Sequence, residues 1–300
     1  MLGTLGQLGI LDNSDRMKEL SILGQSGTSR YLKTSDNYAI VTNADTIYST
    51  TSKGDQLKWK QGNYWLKADT HGYEGLAEEI ASKFIRCIID NNVLYKAITI
   101  KNKESGKEYK GCLSRNMLYD EEQFISLNKL LNTAGKDINL LSKEKGIEEI
   151  IATILQIIKE TYNYNMLNYL TKVLYIDQII VNADRHTNNL GLIRGRSGRF
   201  REAPIFDNGL SLLSGINYWN NVCLQEKIER ISFKPFGIRQ IEALRKMNPE
   251  FRLKVDIEKY NRLKSRYRNS LYGENLVKKC FSIIDDRLSK WSGILWREKK

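Results

Sequence analysis

Apolar residues recur at spacings of three and four along Tyr73–Asn91, where Leu76, Ile80, Phe84 and Ile88 fall on one face. This period predicts an amphipathic helix. Gly146–Tyr162 carries a similar stripe through Ile147, Ile150, Ile151, Ile154 and Ile158. Asn165–Asn182 differs, being apolar on nearly every turn, and a helix of that kind belongs at the centre of its layer. Glu121–Asn132, Phe236–Met247, Ile257–Tyr272 and Asn275–Trp296 also read as helices. Shorter stretches predict strands: Tyr38–Thr42, Leu57–Lys60 and Tyr64–Ala68 around Gln61-Gly62-Asn63, then Val93–Lys101 and Glu108–Leu113 around Ser105-Gly106. Ser114–Tyr119 reads as a crossover. Asn189–Arg194 and Phe200–Phe206 form a later strand pair around Gly195–Gly198. Strands concentrated early and helices late are the segregated pattern of an α+β protein, divided here into 1–115 and 116–300.

Composition narrows this picture only a little. The chain has 300 residues, a length that suits two lobes or one large α/β unit, and its 41% hydrophobic and 27% charged residues are ordinary for a globular enzyme. No apolar run approaches the ~20 residues of a membrane span. The start, MLGTLGQLGILDNSD, lacks the features of a signal peptide. Cys87, Cys112, Cys223 and Cys280 are scattered with no CxxC pair, so reduced thiols and no zinc site are expected. A cytoplasmic location follows, with export as an effector the other possibility. Charge does change the picture. Of the net +12, residues 226–300 hold +10, from 20 Lys and Arg against 10 Asp and Glu. Such a quarter can attract nucleic acid, an acidic protein or an anionic membrane, although a solvated helix face is the preferred reading.

The chemistry-bearing residues cluster in two stretches. IDQIIVNADRHTNNLG (Ile176–Gly191) places Asp184, His186 and Asn189 in a polar loop straight after the most apolar helix. APIFDNGL (Ala203–Leu210) places Asp207 at the end of an apolar strand. Asp-x-x-x-x-Asn followed about twenty residues later by a second carboxylate is what metal-assisted phosphoryl transfer uses. One carboxylate accepts the proton of the attacking hydroxyl, while hard oxygen ligands hold magnesium against the phosphates of ATP. The later strand pair would bring Asn189 close to Asp207. Upstream, Lys67 is a lone lysine in an aromatic strand, and such a lysine needs an anionic partner unless it points to water from a sheet edge. Glu74 and Glu78 lie one turn apart on the following helix, and either can meet it. Gly54 sits in a polar loop between strand candidates, where backbone amides can face phosphate. His186 either contacts the transferring phosphoryl group or braces the loop, with bracing preferred. Arg185 pairs either with a phosphate or with a carboxylate in the core.

Together, the Gly-x-Gln-x-Lys loop, the strand ending in Lys67, NADRHTNNLG and APIFDNG resemble the HipA-like serine/threonine kinases over roughly residues 50–290, the smaller CtkA-type members matching the chain in size. The resemblance implies a two-lobed protein-kinase-like fold with a strand-rich N-lobe and a mainly helical C-lobe. It also implies an ATP- and Mg2+-dependent enzyme acting on a protein Ser or Thr, and an antitoxin-type partner. Gly54, Gln56 and Lys58 then match the phosphate-binding loop, and Lys67 the ATP-contacting lysine braced by Glu74 or Glu78. Asp184 matches the catalytic aspartate, and Asn189 and Asp207 the metal ligands. The family's autophosphorylated serine falls near Thr51, flanked by Thr50 and Ser52. Asn208 stands where eukaryotic kinases carry the Phe of Asp-Phe-Gly. The Asp-Arg-His order also occurs in phosphoinositide kinases, so a lipid kinase is one alternative. A non-catalytic module binding nucleic acid or protein through the basic quarter is the other, disfavoured because Lys67, Asp184 and Asp207 are all present.

Overall fold

In the computed structural model, residues 32–33, 37–47, 56–136, 146–215, 224–229, 231–237 and 239–299 are described. Expectations placed on 1–31, Thr50, Thr51, Ser52, Gly54 and Cys223 fall outside them.

The first half is built on a six-stranded sheet in the order β1-β2-β5-β6-β4-β3. Its strands are β1 (Leu32–Lys33), β2 (Tyr38–Val41), β3 (Lys58–Gln61), β4 (Tyr64–Ala68), β5 (Tyr95–Asn102) and β6 (Glu108–Arg115). The β3–β4 hairpin turns at Gly62, whose φ of +54° suits glycine. β2 runs parallel to β5, and the other neighbours are antiparallel. One face covers a small core of Val41, Trp59, Leu66, Ile98 and Ile100. The other carries α1 (Glu74–Ile85).

Helix α1 is shorter than its periodicity predicts, ending at Ile85 instead of Asn91. Two local forces stop it. The amides of Cys87 and Ile88 close three-residue turns onto Phe84 and Ile85, and the Asn92 side chain donates to the Ser82 carbonyl at 2.8 Å. The helix expected over Glu121–Asn132 begins instead as β7 (Gln123–Ser126) and becomes α2 only at Leu127–Thr133. Pairing with β8 (Gly191–Arg194) overrides helix propensity there, and Ser126 caps α2 by accepting from the Lys129 amide at 3.2 Å. β8 pairs in turn with β9 (Phe200–Glu202), so the strand pair expected there forms but stops short. Asp207 therefore lies beyond a strand, not at the end of one, with left-handed backbone (φ 59°) two positions after Ile205, which bridges to Asn92.

The remainder is mostly helical: α3 (Ile147–Tyr162), α4 (Leu167–Ile180), α5 (Leu224–Glu229), α6 (Gln240–Met247), α7 (Ile257–Arg266) and α8 (Glu274–Trp291). A small parallel pair, β10 (Leu253–Val255) with β11 (Trp296–Glu298), ties the ends of this region together and was not legible as strands. α4 is buried on nearly every turn, as its composition demands. The main core runs without a break from Leu76, Ile80 and Phe84 of α1 through Leu174 of α4 to Ile284 of α8. The fold is thus mixed α+β, a strand-rich sheet followed by helices, with α1 shared between them.

Candidate active site

Lys67 lies on β4 between β3 and β6, opposite Lys58 on one side and Cys112 on the other. It is not at a sheet edge, and its side chain is only 13% exposed. A buried ammonium needs compensation, and two carboxylates supply it: Glu78 Oε1 at 3.1 Å and Asp207 Oδ1 at 2.6 Å. Glu78 comes from the second turn of α1, whereas Asp207 lies 140 residues along the chain. The other Glu78 oxygen accepts the backbone amide of Asn208 at 2.8 Å, so this glutamate also fixes the segment that presents Asp207.

Glu74 is placed elsewhere. Its carboxylate accepts the amides of Thr70, His71 and Gly72, at 3.2, 2.6 and 2.9 Å, and so ties down the turn that leads into α1. Glu79, the next acid, accepts from the Ala97 amide at 3.1 Å and the Tyr267 hydroxyl at 2.9 Å. Three acids on one helix thus have three separate roles, which their spacing alone does not assign.

Helix α4 delivers the loop that carries Asp184, His186 and Asn189. It ends at Val181 in the left-handed region (φ 54°), with its amide returned to the Asp177 carbonyl. Arg185 follows, fully buried, and grips Asp177 in a two-point ion pair at 3.0 Å for each contact. The same guanidinium donates to Asn208 Oδ1 at 2.6 Å and to the Phe206 carbonyl. Arg185 therefore meets a carboxylate in the core, not open space for a phosphate, and it staples the 184–189 loop to the 206–208 segment. Asp177 was missed by sequence reasoning. Its signal was a lone acid on a wholly apolar helix, eight positions before an arginine.

That staple brings Asn189 to Asp207, Nδ2 to Oδ2, at 2.7 Å. The hydrogen bond leaves the Asn189 side-chain oxygen as an acceptor beside the carboxylate. His186 Nε2 lies 3.3 Å from Asn189 Nδ2, and burial pushes the imidazole below its ordinary value, so the ring is neutral near pH 7. The ring thus lies against the Asn189 side chain. Asp184 is a third exposed, with Lys234 Nζ on its Oδ1 at 2.5 Å. Lys234 was not singled out from the sequence. Gln56 donates to the Ala68 carbonyl at 2.9 Å, pinning the end of the loop onto β4. Lys58 sits opposite Lys67 in the sheet, and its charge reaches Asp207.

Electrostatically the cluster is one ammonium between two carboxylates. Burial opposes ionisation of Asp207, yet the neighbouring Lys67 charge and hydrogen bond outweigh it and hold the carboxyl well below the usual range. Burial likewise opposes the charge on Lys67, but Asp207, Tyr95 and Glu78 more than offset it and keep the ammonium charged. Glu78 is pushed up, because burial exceeds what Lys67 returns. Asp207 thus keeps its negative charge beside the Asn189 side chain. That suits a cation, and Asp207 with the Asn189 oxygen are hard ligands of the kind magnesium takes. Among the described residues no group of three or more His, Cys, Asp or Glu could hold a metal ion. Two protein ligands fit an ion whose other ligands are phosphate oxygens and water.

A cavity of about 280 Å³ opens beside Asp184, walled by Val181, Leu210, Leu213 and Ile231 with Lys234 at its rim.

The fold is shared with solved structures. The Helicobacter pylori proinflammatory kinase CtkA matches with a TM-score of 0.53 at 16% sequence identity, over 81% of this chain and 90% of that one. This likeness shows a kinase-like fold. A Shewanella oneidensis structure of the toxin–antitoxin system HipA and HipB with its operator DNA matches with a TM-score of 0.39 at 10% identity, over 82% of this chain and 62% of that one. No family model and no curated protein matches the chain. Among the described residues no helix is long and apolar enough to cross a membrane.

Proposed function

We propose that this chain is a protein kinase that transfers the γ-phosphoryl group of ATP, with magnesium, to a serine or threonine hydroxyl. The observation that carries this reading is the Lys67 ammonium, held at once by Glu78 of α1 and by Asp207 from the far end of the chain. A lysine ammonium has three donors to place. One braced by a helix glutamate and aimed at a second carboxylate beside an asparagine is arranged to receive phosphates and their counterion. The kinase-like fold supports the same conclusion.

In this mechanism Lys67 binds the α- and β-phosphates, exchanging its contact with Asp207 for theirs while Glu78 keeps its position. Lys58 adds positive charge at the same side of the sheet. Asn189 and Asp207 hold magnesium, which when bound neutralises charge on the phosphate oxygens. Asp184 orients the acceptor hydroxyl and takes its proton. The new bond joins the acceptor oxygen to the γ-phosphorus, while the bond from that phosphorus to the β-bridging oxygen breaks and ADP departs with the electron pair. His186 contributes by holding Asn189. Positioning and charge neutralisation supply most of the catalysis in chemistry of this kind.

The test is incubation of the full chain with γ-labelled ATP and magnesium, alone, with a host-cell lysate and with phosphoinositide vesicles, followed by phosphosite mapping. Label on protein serine or threonine is expected, with Thr50, Thr51 and Ser52 as the self-modified candidates. Label on the vesicles alone would replace the protein acceptor by a lipid. Asp184→Ala is expected to lower transfer by about 10²–10⁴-fold while retaining ATP affinity. Wild-type turnover in that variant removes Asp184 from the role of base.

A further inference from the structure

Lys234 has no place in the machinery described so far, yet its backbone is held with care. Its amide donates to the Ala183 carbonyl at 3.2 Å, next to Asp184. Its own carbonyl accepts from the side chain of Gln240 at 3.4 Å, and Gln240 is fully buried with its oxygen on the Phe236 amide. Phe233 and Phe236 are both buried, anchoring the turn on either side. A lysine serving only solubility needs no such seat.

The head group is placed differently from the backbone. Its ion pair with Asp184 is exposed, with side chains 58% and 33% accessible. Exposed pairs contribute little and exchange readily. The buried Lys67–Glu78 pair, at 13% and 2%, cannot do the same. The structure therefore contains two lysines of opposite character: one locked inside the phosphate-facing cluster, and one loosely held at the mouth of the 280 Å³ cavity. Asp184 lines the cavity and begins the loop that carries Asn189. An acceptor hydroxyl entering from the cavity would meet Asp184 with Lys234 beside it.

We propose that Lys234 is a catalytic residue of the acceptor side: its ammonium leaves Asp184 Oδ1 and contacts the γ-phosphoryl oxygens as that group passes to an acceptor hydroxyl at the cavity mouth. This rests on the phosphotransfer reading given above. The step changes no bond of Lys234. The hydroxyl proton still goes to the Asp184 carboxylate, the phosphorus–oxygen bond to ADP breaks, and the lysine neutralises charge on the moving group. Lys234 lines the cavity together with Val181, Leu210, Leu213 and Ile231, and these apolar walls select an acceptor segment with an apolar side chain next to the hydroxyl.

Lys234→Ala and Lys234→Met test this, the second keeping the aliphatic stem while removing the charge. The expected result is a fall in kcat of about 10²-fold in both variants, with the affinity for ADP and the melting temperature unchanged. Affinity for ADP with magnesium and aluminium fluoride, a mimic of the transferring phosphoryl group, should fall about tenfold or more. A purely structural lysine would not separate these two affinities. Equal or higher kcat in both variants overturns the inference, as does a parallel loss of ADP and ADP–aluminium fluoride binding. A wild-type protein that binds nucleotide but transfers no phosphate to any acceptor overturns the phosphotransfer reading itself, and this inference with it.

Discussion

Glu74 and Glu78 sit one turn apart on the same buried helix and serve different ends. Glu78 holds Lys67 and the Asn208 amide, whereas Glu74 closes the amides that precede α1. Their substitutions should separate cleanly. Glu78→Gln removes the charge that positions Lys67 and is expected to lower phosphate transfer by about 10²-fold. Glu74→Ala leaves the amides of that turn without their acceptor and is expected to cost about 1–3 kcal/mol of stability with kcat close to wild type. Denaturant titration beside a labelled-phosphate assay reads both. If Glu74→Ala were the variant that lost transfer without losing stability, the placement of the two acids would be wrong. Arg185 shows the same division. The Asp-Arg-His motif marks it, but whether it faces a phosphate or the core depends on Asp177, one helix away.

At the scale of elements, α1 is the part whose position decides whether Lys67 is braced. It is held at three places. Gly75 lies against the carbonyl of Gly111 in β6, so closely that an added Cβ would overlap that oxygen and come within 2.6 Å of the Tyr272 hydroxyl. Tyr267 and Asn269, in the connection between α7 and α8, donate to Glu79 at 2.9 and 3.3 Å. The Lys259 ammonium donates to the Arg86 carbonyl at the far end of the helix, at 2.7 Å. Helix propensity alone favours alanine over glycine by about 1 kcal/mol. Gly75→Ala is nonetheless expected to destabilise the protein by about 1–3 kcal/mol, because the new methyl group must push α1 off the sheet. A melting temperature at or above wild type would show that α1 has room to move. The displacement should also weaken the Lys67–Glu78 contact and with it ATP affinity.

Across the whole molecule, sheet and helices are joined by one core and by buried polar links, among them Asp69. Just past β4, its carboxylate accepts the Gly75 amide at 2.7 Å and the Tyr272 hydroxyl at 2.6 Å. Burial, against those hydrogen bonds, pushes its pKa up to about 6. In the unfolded chain it titrates near ~4. Between these values the native state binds the additional proton, so this residue's contribution to stability falls as pH rises from about 4 to 6. Asp69→Asn keeps an acceptor for Gly75 and cannot ionise. Its melting temperature relative to wild type should therefore rise from pH 4 to pH 7. A difference that stays flat across that range would mean that Asp69 titrates normally in the folded protein.

Sequence by itself determined the elements whose pattern is local and strong. The all-apolar helix α4, the stripes of α1 and α3, and the β3–β4 and β5–β6 hairpins follow from period and turn residues, because burial of a face is written into the order of side chains. The nearness of Asn189 to Asp207 was legible for the same reason, since a strand pair around Gly195–Gly198 folds one back on the other. Elements set by distant partners were not legible. β7 looks like the start of a helix until β8 pairs with it, and β10 and β11 are each three residues long and meet across α7 and α8. The choice between Glu74 and Glu78, the burial of Arg185 on Asp177 and the presence of Lys234 at Asp184 were decided only by the tertiary structure. Charged side chains find partners by distance in space, and hydrogen bonds spanning 8, 50 and 140 positions leave no period in the chain to read.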